Sequence, residues 1–135
     1  MLEKLQSKNY NIRKGDTKNL KFAFYDDDNN EINIETYAAK CTLTNMVTQA
    51  AVVTKEHNDG VSGGSGIYFF NDAEKPAGLG MTSTNQLVVV LSYFDTDLEP
   101  GPYRYDIEFT IDSNKKTTPI AGFINITREE TASVT

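Results

Sequence analysis

Tyr103-Arg104-Tyr105-Asp106-Ile107-Glu108-Phe109-Thr110-Ile111 carries an apolar or aromatic residue at every odd position and a polar one at every even position. Successive side chains leave a strand on opposite faces, so a period of two marks a strand with one face on a core. Just upstream, Leu98-Glu99-Pro100-Gly101-Pro102 forbids regular pairing and favours a turn. Downstream, Asp112-Ser113-Asn114-Lys115 is a loop of turn formers. Ile120-Ala121-Gly122-Phe123-Ile124-Asn125-Ile126, rich in β-branched residues, then reads as the hairpin partner.

The same grammar extends toward the N-terminus. Tyr10–Arg13 alternates and is stopped by Lys14-Gly15-Asp16, and Asn19–Tyr25 places Leu20, Phe22 and Phe24 on one face. Asp26–Asn30 is a polar loop, after which Ile32-Asn33-Ile34 resumes the alternation. Ala39–Thr44 alternates with Cys41 inward, and Ala51–Thr54, Gly66–Phe70 and Gln86–Leu91 complete a set of about eight strands. Strands at this spacing, separated by turn signals, predict an all-β sandwich or barrel in one domain. A helix has room only at Asp72–Ala77, where Asp72 would be the cap and Pro76 limits it to a single turn.

Composition narrows the function. The 135 residues include 19 acidic and 13 basic side chains, one His, one Cys and no Trp. A net charge of −6 opposes binding to nucleic acid or to anionic lipid, both of which recruit Lys and Arg. One Cys rules out an internal disulfide, and no Cys/His spacing suits zinc. The N-terminal stretch lacks the apolar segment of an export signal, so synthesis without one is expected. The sequon Asn125-Ile126-Thr127 is therefore read as a chance match.

The residues that could carry chemistry each have a plainer role. Asp26–Glu31 clusters oxygen ligands, but Glu31 and Tyr37 stand where an EF-hand loop needs Gly and Glu. The loop reads as a charged hairpin connection, with calcium as the alternative. Asp95, Asp97 and Glu99 could pair as glycosidase carboxylates, but they read as a solvated connection between sheets. His57 lies in the polar stretch Lys55–Asp59 and is expected at the surface, while Cys41 is expected to pack as a small hydrophobe. The glycine-rich stretch Gly60–Gly66 leads into a strand and lacks the Lys-Ser/Thr of a phosphate loop. No catalytic, cofactor or metal residues are assigned, and the chain is not expected to be an enzyme.

Two stretches resemble a known family. Tyr10–Thr17, followed by Leu20–Phe24 and Glu31–Ile34, is similar to the opening of immunoglobulin-like domains in phage tail and baseplate proteins. The N-terminal domain of baseplate upper proteins is the nearest of these. Leu98–Ile107 resembles their Pro-Gly-x-Tyr-x-Tyr-Asp motif, and Gly122–Ile126 resembles their last strand. The resemblance implies a single immunoglobulin-like antiparallel β-sandwich spanning 8–128, with an N-terminal arm over 1–7 and a tail over 129–135. It implies a structural virion component, either a tail or baseplate adaptor or a head decoration. Its partners would be other virion proteins and copies of itself. Tyr103 would then be the tyrosine of a sandwich corner.

The helical trimerisation or receptor-binding segments that often follow such domains are not expected here. Contacts to neighbouring copies are expected from the arms and the glycine-rich loop, at Leu2, Leu5, Gly63, Gly64 and Val134. A carbohydrate-binding sandwich is the second reading. Phe22, Phe24, Phe69, Tyr103, Tyr105, Phe109 and Phe123 mostly fall on core-facing positions, leaving Tyr25, Tyr37, Tyr93 and Phe94 to stack on a sugar.

Overall fold

The computed structural model describes residues 6–57, 66–73, 75–112 and 115–128. Among the described residues, eight strands form two facing sheets: β1 (Tyr10–Arg13), β2 (Lys18–Ala23), β3 (Ala38–Asn45), β4 (Ala51–His57), β5 (Ile67–Phe69), β6 (Gln86–Leu91), β7 (Gly101–Asp112) and β8 (Lys115–Thr127). The larger sheet has the order β1-β8-β7-β3-β4 and the smaller one β2-β6-β5. The chain crosses repeatedly between the two sheets of this all-β sandwich, with β7 at the centre of the larger sheet between β8 and β3. Every ladder is antiparallel except β1 with β8, which is parallel. The chain runs up one side on β1, turns at Gly15 (φ +84°) and descends on β2 in the opposite sheet.

The decisive stretch follows its period as far as Phe109, and Ile111, beside a register irregularity at the end of β7, is only partly buried. Tyr103, Tyr105, Ile107 and Phe109 are buried, while Arg104 and the other even-numbered residues face outward. Facing them from the small sheet are Leu20, Phe22, Leu87 and Val89. Phe24, immediately past β2, meets Phe109 edge-on at 5.0 Å between ring centroids, and Phe22 lies 6.3 Å from Tyr105. Each such buried side chain contributes about 1.5–3 kcal/mol relative to exposure.

Ile32–Ile34 departs from the expected alternation, for it is not a strand. The N–H of Ile32 donates to Phe24 O and that of Ile34 to Thr84 O, while the Ile34 side chain is buried. This segment crosses from the small sheet to the large one, so its backbone serves two sets of partners and cannot extend one ladder.

The N-terminal segment is tied to the large sheet from Gln6 onward. Gln6 N donates to Pro119 O (2.7 Å), Ala121 N donates to Gln6 O (3.1 Å), and Tyr105 Oη donates to Lys8 O (2.8 Å). Where this segment passes Gly122, a Cβ on the glycine would sit 2.1 Å from Lys8 O. Only glycine allows so close an approach of two backbones.

Candidate functional site: closed flanks and one exposed apolar end

The predicted contact residues Leu2, Leu5, Gly63, Gly64 and Val134 lie outside the described residues. The glycine-rich stretch Gly60–Gly66 also lies outside them except for Gly66, whereas Cys41, His57 and the two acidic groups can be placed.

Cys41 is buried on β3, where burial, and secondarily Asp106, push its thiol up to about 12. It is a packed hydrophobe, as its inward position required. In the Asp26–Glu31 loop, Asp26 Oδ1 accepts from the backbone N–H of both Asp28 and Asn30 at 2.9 Å. These backbone bonds, that of Asn30 first, hold its carboxyl below the usual range. Glu31 accepts from the Ser83 hydroxyl at 2.6 Å. Among the described residues, no three His, Cys, Asp or Glu side chains converge to hold a metal ion.

The acidic group before β7 is not simply solvated. A single helical turn, α1 (Tyr93–Thr96), sits there, and Asp95 closes its capping box: Ser92 N donates to Asp95 Oδ2 at 2.8 Å and Asp95 N to Ser92 Oγ at 3.4 Å. The same Asp95 Oδ2 lies 2.8 Å from Lys55 Nζ, with both side chains largely buried. Asp97 pairs instead with Lys14 at 2.9 Å. The backbone carbonyl of Glu99 accepts from Tyr103 Oη at 2.8 Å, which is the sandwich-corner bond expected of that tyrosine. Asp95 and Asp97 are thus committed to different lysines, while Glu99 takes part through its backbone carbonyl.

His57 overturns its surface assignment. It is the last residue of β4, only 1% exposed, and continues the inward face of Val53 and Lys55 by the same period of two. Its Nε2 lies 2.7 Å from Oδ2 of Asp72, which is 3% exposed, and its ring stacks on Phe69 at 4.4 Å. The same oxygen accepts from Phe69 N at 2.8 Å. Asp72, expected to cap a helix, instead joins the end of β4 in one sheet to the turn after β5 in the other. His57 Nδ1 and Asp72 Oδ1 have no hydrogen-bond partner among the described residues. The arrangement clasps the end of β4 in one sheet to the turn after β5 in the other.

The opposite flank is closed in a related way. Side chains of the N-terminal segment cross to the free edge of β2, with Gln6 Nε2 donating to Ala23 O (2.7 Å) and Lys8 Nζ to Lys21 O (3.4 Å). An unpaired strand edge invites another chain, and these side chains occupy two of its acceptors. On the β4 edge the inward-pointing Lys55 has the same effect, because pairing there would leave a charge against the new strand.

What remains exposed and apolar is unevenly placed. Val47 (80% exposed), Val52, Tyr93 and Phe94 (72%) lie toward the end of the sandwich where β7 begins and β1, β3 and β8 finish. The Tyr93 and Phe94 rings lie against each other at 4.1 Å. Phe123, grouped with the core from its sequence, is 49% exposed, because Gly122, Ile124 and Ile126 take the inward positions of β8. Tyr25 lies at the other end, bridged to Glu31 beside the acidic loop. No protein-family model matches this chain, and no curated protein matches it.

Proposed function

We propose that this chain is a structural module of a bacteriophage particle, assembling in multiple copies as a tail or baseplate adaptor and carrying no reaction. The observation that supports this most is how the polar side chains are used. His57, Asp72, Lys55, Asp95, Gln6 and Lys8 all hold one sheet or loop to another. A sandwich closed on both flanks, with its large exposed apolar groups gathered mainly at one end, suits a repeated building unit. The resemblance of Tyr10–Thr17 and Leu98–Ile107 to tail and baseplate domains supplies the particle.

Within the same class, head decoration is the alternative position. A carbohydrate-binding role would rest on Tyr93 and Phe94, the exposed ring pair at the open end. The test is to purify phage particles on a density gradient from cells that encode the chain, and to probe the band for it. Co-migration with the particles supports the reading, and its confinement to the unassembled fraction refutes it. A glycan array read in parallel, with signal lost in Phe94→Ser, would favour the carbohydrate reading instead.

A further inference from the structure

We draw no further inference here: the strongest candidate, the buried His57–Asp72 pair between the end of β4 and the turn after β5, has two atoms, His57 Nδ1 and Asp72 Oδ1, without a hydrogen-bond partner among the described residues, but residues 58–65, which follow His57 in the chain, lie outside them and no third His, Cys, Asp or Glu joins the pair among them, so nothing in the structure shows what those atoms face.

Discussion

Removing both halves of the His57–Asp72 clasp should cost far less than the two single losses added together. Asp72→Ala leaves two buried donors unpaired, Phe69 N–H and His57 Nε2. At about 1–3 kcal/mol for each unsatisfied group, and about 3–5 kcal/mol for breaking one side of a buried pair, the expected loss is about 3–5 kcal/mol. His57→Phe keeps a ring on Phe69 but strands the Asp72 carboxylate on a single backbone donor, with a loss of the same size. In the double variant only the Phe69 N–H is left unpaired, so its loss should be about 1–3 kcal/mol. The coupling between the two sites should therefore exceed about 2 kcal/mol. Domains of this size are stable by about 5–15 kcal/mol in all. Each single variant should thus melt roughly 10–20 °C lower, by circular dichroism at pH 7, with the double variant well above the sum. Single variants within about 1 kcal/mol of wild type, or strictly additive losses, would refute the clasp.

Gly122→Ala should prise the N-terminal segment from β8, because its Cβ would lie 2.1 Å from Lys8 O. Loss of the Tyr105–Lys8, Gln6–Pro119 and Ala121–Gln6 bonds should lower stability by about 2–4 kcal/mol in urea denaturation. It should also speed hydrogen exchange at the Ala121 amide. The Cys41 thiol, held up to about 12 by burial, should resist iodoacetamide in the native protein at pH 8.5 and react promptly in urea. Above its ordinary value of 9.0 the unfolded thiol loses its proton while the folded one keeps it. Stability should therefore decline as pH rises through that window, and Cys41→Ala should abolish this part of the decline. Asp106 is raised above 3.8, mainly by burial, so the folded state disfavours its charge. Asp106→Asn should raise the melting temperature at pH 7 and change it less near pH 3, where the carboxyl is protonated in either state.

The framework was legible wherever one face of a strand meets the core. Tyr103–Phe109 and Leu20, Phe22 and Phe24 announce their inward faces by period alone, and Cys41 falls inward on the same count. Where local composition and tertiary burial disagree, the sequence misleads. His57 looks like a loop residue because Lys55, Glu56 and Asn58 surround it, yet its partner Asp72 is 15 residues away and across the sandwich. Following the period past Val53 through Lys55 to His57 would have pointed inward. Asp95 looked solvated because nothing nearby in sequence shows Lys55, 40 positions earlier, reaching it. Ser92 three residues before Asp95 is the local signal for α1, and the flanking prolines masked it. Phe123 drew a core assignment from its chemistry, but Gly122 holds the inward position so that Lys8 can pass. Ile32–Ile34 alternates because it packs, although it pairs with no single strand.

The central claim, a repeated structural module with its polar groups spent on closure, is tested most directly by counting. Quantitative mass spectrometry with isotope-labelled peptides of this chain, applied to gradient-purified particles, should find it at a fixed ratio of several copies per particle. Absence from the particles, with the chain recovered free in the same lysate, would contradict the account.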